Sequence, residues 1–280
     1  MSPTYFPGCT LSTKASGFDA SGRAVAQSLG MTLDELAEWQ CCGATFPLTT
    51  DNSMALIAPT RILAKGQNAG GHVTTLCAIC FHVLRRTQNF LSAHPDMLER
   101  INWFTEEPYE GRTRVSHFLE LLRDELTWEG LSSRVTRPLA GLKVAPYYGC
   151  LLLRPKDEIG LDDPDEPHIL HDCLTALGCE VVDFPYASEC CGSYLAASKP
   201  ELPEKLSQEI VASARRHGAQ AIVTACPLCQ FNLDYPQKTT FSGDTLPVLY
   251  FTQLIAVALD LEPAAWGMEK HYVDPKPLFA

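Results

Sequence analysis

One cysteine pattern occurs twice in this chain, and it constrains the architecture more than any other feature. Cys9, the run Cys41-Cys42-Gly43 and the pair Cys77 and Cys80 form the first copy; Cys150, Cys190-Cys191-Gly192, Cys226 and Cys229 form the second. In both copies 34 residues separate the double cysteine from the C-x-x-C, while the leading spacer is 31 residues in the first and 39 in the second. A long fixed period with matched side-chain types marks an internal duplication, and the duplicated object is a five-thiol site. The flanks repeat as well. Tyr5-Phe6-Pro7-Gly8-Cys9 answers Pro146-Tyr147-Tyr148-Gly149-Cys150, and His117 to Leu122 answers Tyr250 to Ile255.

The duplication predicts two pseudo-symmetric α/β halves, residues 1–135 and 136–280, each large enough for its own modest core. Short apolar runs at Val144–Tyr148, Glu180–Phe184 and Ala221–Ala225 read as strands, each leading toward a cysteine. Sites just past strand ends are the habit of open α/β sheets, whose carboxyl-edge loops converge on one crevice. Helices are expected at Gly17–Leu29, Asn52–Asn68, Phe81–Ala93, His168–Leu177, Pro203–His217 and Phe251–Leu261. Leu131–Leu142 reads as the hinge between halves, and the acidic, proline-bearing stretch Lys156–Pro167 as a surface loop that lengthens the second leading spacer.

A formal charge of −11 argues against nucleic acid or an anionic membrane as the main partner. The apolar run Leu254–Leu261, broken by Asp260, falls far short of a membrane span, and Met1–Gly8 carries no leader features, so a cytoplasmic protein is expected. In that reducing compartment twelve cysteines favour metal thiolates or redox chemistry over structural disulfides. Five thiols per copy exceed the four of tetrahedral zinc and of an ordinary cubane, although a zinc site can be drawn from four of each set. Thioredoxin-like chemistry accounts for a C-x-x-C alone. Gly43 and Gly192 suit positive backbone φ beside bulky inorganic sulfide.

Read as C-x31-CC-x34-CxxC and C-x39-CC-x34-CxxC, the two copies resemble the CCG domains of the B-type subunit family of heterodisulfide reductase across nearly the whole chain. Phe6-Pro7-Gly8-Cys9 is similar to that family's opening and Cys226-Pro227-Leu228-Cys229-Gln230-Phe231-Asn232-Leu233 to its second C-x-x-C motif; the first departs in having Ala78 where a polar residue or proline is common. The resemblance implies a non-cubane 4Fe-4S cluster on Cys9, Cys41, Cys42, Cys77 and Cys80 and a second on Cys150, Cys190, Cys191, Cys226 and Cys229. It further implies a catalytic subunit that reduces or forms a disulfide of thiol cofactors between two clusters, each passing one electron and capturing one sulfur. Its partners would be a ferredoxin-like cubane-cluster subunit and a flavin subunit. No flavin or nicotinamide motif appears in this chain. The rival readings are an electron-transfer subunit of a quinone-linked dehydrogenase, which usually carries extra ferredoxin-type cysteine runs, and a zinc-stabilised scaffold.

Other residues carry weaker signals. Lys14 and Arg154 follow Cys9 and Cys150 closely, so the duplication would set both at the mouth of the crevice, where they could hold an anionic substrate tail; loop solvation explains them equally well. His82 is a candidate proton donor, with a partly exposed helix-face histidine as the plainer reading. Arg85 and Arg86 are open to the same division between partner docking and solvation. Cys173 and Cys179 lie outside the repeat and read as buried free thiols. His168, His171 and Asp172 read as solvated helix surface.

Overall fold

A computed structural model describes residues 3–44, 53–241 and 243–280 and consists of two similar α/β layers. The first sheet is fully parallel in the order β2-β1-β3-β4, with β1 Thr4–Tyr5, β2 Asp34–Glu35, β3 His72–Thr75 and β4 Arg114–His117. The second repeats it as β6-β5-β7-β8, with β5 Lys143–Tyr147, β6 Glu180–Val181, β7 Ala221–Thr224 and β8 Val248–Tyr250. Strands β3 and β7 are almost wholly buried, as parallel strands covered by helices on both faces must be. The duplicated α/β architecture expected from the cysteine repeat is therefore present.

Strand order places the cysteines. From β1 the chain runs outward to β2 and then returns to β3 on the other side, so β1 and β3 flank the switch point where the connections diverge; β5 and β7 do the same in the second half. Cys9 and Cys77 follow β1 and β3, Cys41 and Cys42 lie beyond β2, and the second set repeats this after β5, β7 and β6.

The halves share an apolar seam. Phe18, on the Ser16–Ser28 helix, stacks flat on Tyr250 of β8 with ring centroids 4.1 Å apart, and Ser21 hydrogen-bonds Thr252 at 2.6 Å. Most expected helices appear within a few residues of their predicted ends, including Ala78–Ala93, Ile169–Ala176, Glu201–Arg216 and Phe251–Ala258. Of the helix expected at Asn52–Asn68, Asn52 lies outside the described residues and the α-helix proper is Ile57–Asn68.

Two loop expectations are corrected. The stretch read as a hinge is pinned: Leu131, Leu139 and Leu142 are buried, and the Thr136 and Arg137 amides donate to the Ala258 carbonyl. The stretch read as a surface loop contains a short helix, Lys156–Ile159, and buries Ile159 and Leu161. Its apolar side chains face the protein because the loop packs against the first half.

Candidate metal centres at the sheet edges

In the first half the sulfurs of Cys9 and Cys41 lie 3.6 Å apart, as do those of Cys42 and Cys80; in the second, Cys150–Cys190 and Cys191–Cys229 are each 3.7 Å apart. A disulfide would require about 2.05 Å. Two thiolates on one tetrahedral ion with metal–sulfur bonds of about 2.3 Å stand about 3.8 Å apart, so these pairs are spaced as ligands of a common metal atom. Cys77 and Cys226 complete the sets at the N-caps of the Ala78–Ala93 and Pro227–Asp234 helices, where the free amides and helix dipole favour a thiolate. The Cys226 sulfur accepts the Cys229 amide at 3.5 Å. The donors are all thiols, five per half, which suits a multi-iron cluster and exceeds what a zinc ion takes.

Local electrostatics ready part of each set for a cation. A hydrogen bond with the Cys80 thiol holds Cys42 down at about 7, and one with the Cys150 thiol holds Cys190 at about 6. Cys191 is lowered by Cys229, with help from the Asn232 amide 3.7 Å away. The partners move the other way: Cys80, Cys150 and Cys229 are all raised by those same contacts, and burial lifts Cys41 to about 11. The Cys42–Cys80, Cys150–Cys190 and Cys191–Cys229 pairs thus each divide into a ready thiolate and a thiol that needs a metal to lose its proton.

Two backbone devices recur. Gly43 and Gly192 have φ of 93° and 76°, the positive values expected of the glycines after the double cysteines, and their amides donate to the sulfurs of Cys41 and Cys190 at 3.5 and 3.3 Å. Gly8 and Gly149, at φ 73° and 63°, lie against the far cysteine of each C-x-x-C: a Cβ would stand 2.7 Å from the Cys80 sulfur and 3.1 Å from that of Cys229. That second role was missed, although the repeated glycine before the leading cysteine was the visible signal.

The two sites adjoin. The Ala78 amide, beside Cys77, donates to the Ala225 carbonyl, beside Cys226, at 3.0 Å. The Tyr194 hydroxyl donates to the Ala44 carbonyl at 2.9 Å, tying the two double-cysteine loops together. Sequence reasoning overlooked Tyr194, which has no repeated counterpart to flag it.

His82 is buried rather than partly exposed. Its Nδ1 lies 3.1 Å from the Leu151 carbonyl and its Nε2 lies 3.4 Å from an Arg86 amino group; burial, then Arg86, push it down to about 4. It is a neutral strut between halves with both ring nitrogens occupied. Arg86 pairs with Glu158 across the seam at 2.6 Å, and Arg85 grips both oxygens of Glu120 at 2.8 Å. Lys14 is exposed and lines a crevice of about 1090 Å³ that reaches Cys9; Arg154 instead donates to the Ser188 carbonyl at 2.7 Å. Cys173 and Cys179 are buried and raised by that burial, Cys179 to about 12. His168, His171 and Asp172 bring their ligand atoms within 4.8 Å of one another at a largely solvated helix start.

Fold and sites together define a duplicated α/β protein carrying twin five-thiol sets, candidate metal sites, at its sheet edges. The cysteine-rich CCG domain matches twice, at residues 3–85 and 144–234, and the chain belongs to that family, in its tandem form resembling the B-type subunit of heterodisulfide reductase. It is 33% identical to the 8-methylmenaquinol:fumarate reductase membrane anchor subunit of Wolinella succinogenes, over 98% of both chains. It is 29% identical to a subunit of the ferredoxin/F420H2-dependent CoB-CoM heterodisulfide reductase of Methanosarcina acetivorans, over 96% of this chain and 93% of that one. A crystal structure of a hypothetical protein from Helicobacter pylori shares the fold with a TM-score of 0.77 at 12% identity, over 97% of this chain and 51% of that one. These relationships place the chain among subunits of redox enzymes. Among the described residues no helix is long and apolar enough to cross a membrane.

Proposed function

We propose that this chain is the iron–sulfur subunit of a quinol-linked oxidoreductase complex, with a non-cubane 4Fe-4S cluster on each five-cysteine set. The observation that carries this reading is an aromatic-walled crevice of about 1090 Å³ opening onto Cys9, one of the proposed ligands. Bound clusters would supply one-electron steps in each half. The chain's own residues hold eight of the ten thiols in pairs at metal spacing, keep the two sets adjacent through Ala78 and Ala225, and shield most of the sulfurs from water. The sequence alone leans toward disulfide chemistry because ferredoxin-type cysteine runs are missing. The quinol-linked reading is supported by the 33% identity to the Wolinella 8-methylmenaquinol:fumarate reductase subunit, of which this chain covers 98%.

A second reading, a heterodisulfide-reductase-like subunit acting on a disulfide of thiol cofactors, is favoured by the contact between the two C-x-x-C loops. That contact sets the thiol sets where each could take one sulfur of a cleaved bond. Under either reading electrons are exchanged with a cubane-cluster ferredoxin-like subunit and a flavin subunit of the same complex. Anaerobic purification decides the foundation. About eight irons per chain, with matching sulfide, are expected; colourless protein holding zinc would sink both readings. Bleaching of the visible cluster absorbance on adding a naphthoquinol, with no response to mixed disulfides, is the result expected of a quinol-linked subunit.

A further inference from the structure

The two halves are related by duplication, yet the crevices beside their leading cysteines differ. In each half the helix after a C-x-x-C faces the segment after the other half's leading cysteine. On one side the Ala78–Ala93 helix presents His82, Arg86 and Asn89 to the second half. His82 meets the Leu151 carbonyl, Arg86 pairs with Glu158, and Asn89 donates to the Glu158 carbonyl at 2.7 Å. A pocket of only about 10 Å³ lies there, against Cys150, Cys226 and Cys229. The filler is the Leu151–Ile159 stretch, which belongs to the longer leading spacer, 39 residues against 31.

On the other side the shorter segment after Cys9 supplies no filler. Counting from Cys229 as from Cys80, Phe231 occupies the position of His82 and Tyr235 that of Arg86. Instead of meeting the other half, these rings line the open crevice. They stack 5.2 Å apart with planes within 8°, and Tyr272 stands edge-on at 4.9 Å from Tyr235. All three remain 38–44% exposed, an unusual concentration of solvent-facing aromatic surface at one place. Lys14 lines the same space, and Lys270, which donates to the Thr13 carbonyl at 2.9 Å, brings a second cation.

We infer that the open crevice between the Cys9–Ala15 segment and the Pro227–Asp234 helix is the carrier site, that Phe231 and Tyr235 form its stacking wall, and that its occupant is a planar quinone ring. The duplication made two equivalent entrances, and the longer second spacer has closed one. The volume, about 1090 Å³, lies just above the usual range of small-molecule pockets, roughly 300–1,000 Å³. Flat π-faces suit a fused ring, and cations at the rim suit its carbonyl oxygens. The wall offers little to a flexible aliphatic disulfide. This inference rests on the quinol-linked reading and adds the site and the residues that select the ring.

The test is equilibrium binding of 2,3-dimethyl-1,4-naphthoquinone to cluster-loaded protein, with the double variant Phe231→Ala/Tyr235→Ala. Trp103→Ala, an exposed aromatic outside the crevice, is the control. Iron content and visible spectrum of each variant confirm that the clusters are intact. The double variant should weaken binding at least about fivefold, since two aromatic contacts are lost together, while the control should leave it unchanged. Equal binding by the double variant and the parent overturns the crevice assignment, and the quinol-linked reading then rests on the naphthoquinone binding itself. Failure of the parent to bind any naphthoquinone, together with binding of a mixed disulfide, overturns both.

Discussion

Gly8→Ala isolates the claim that the backbone at the leading cysteine is shaped around a metal-bound sulfur. Two costs add at this position. The first is the positive φ of 73°, which costs a residue with a Cβ about 1–2 kcal/mol. The second is contact: the new carbon would stand 2.7 Å from the Cys80 sulfur, about 1 Å inside the optimum separation of non-bonded heavy atoms. Cys80 is buried and lies 3.6 Å from Cys42, so its sulfur has no free direction of retreat that preserves ligand spacing. Gly149→Ala carries a similar φ cost at 63°, but its Cβ would meet the Cys229 sulfur at 3.1 Å, a milder intrusion. Gly30→Ala has φ 78° and nothing within 4 Å, and so measures the conformational cost alone. With iron per chain and the visible spectrum as readouts, Gly8→Ala should lose about half the iron, Gly149→Ala less, and Gly30→Ala none, although all three should lower the melting temperature. Full iron in Gly8→Ala would refute the reasoning.

Two further outcomes are expected. Cys42→Ala and Cys191→Ala should each halve the iron, about four atoms of eight, while far-UV circular dichroism stays near that of the parent; loss of all the iron from either variant would contradict independent half-sites. His117 is fully buried, with Nε2 2.9 Å from the Leu76 carbonyl, and burial lowers it to about 4 from an unfolded value of about 6.5. A folded value below the unfolded one means stability is complete above pH 6.5 and is lost as pH falls from there to 4. The loss from His117 amounts to about 3 kcal/mol; His82 and His271, also lowered to about 4, act over the same window, so His117→Gln should make that part of the stability profile shallower, as measured by denaturant titration of metal-free protein. An unchanged slope would remove His117 from the account.

The fold was legible because the cysteines are periodic and the strands that matter are short apolar runs ending at them: Ala221–Thr224 stops two residues before Cys226, close to where its composition predicts. The thiol sets were legible for the same reason, since the matched spacings bring the cysteines of each copy together at one sheet edge. His82 was not. Whether a helix-face histidine is wet or dry depends on what packs against it, and the Leu151 carbonyl that covers it is 69 residues away in sequence. Arg86 and Glu158 escaped for the same reason. Gly8 and Gly149 were visible as a repeat, but their meaning lies in an approach to Cys80 and Cys229 that only three-dimensional placement reveals.

The difference between the leading spacers was read as a surface loop, and it proves more informative than the identity of the rest. Duplication alone yields two equal entrances to two equal centres, and so no direction of traffic. Eight additional residues, 39 against 31, place Leu151 and Glu158 against His82 and Arg86 and fill one entrance. The other keeps Cys9 exposed and lined by aromatic side chains where the closed side carries a histidine and an arginine. Under the quinol-linked reading we propose, the two thiol sets would thereby differ in role, the one beside Cys9 meeting the carrier and the other facing the filled entrance. That difference follows from which loop grew, since the cysteines themselves are the same in both halves.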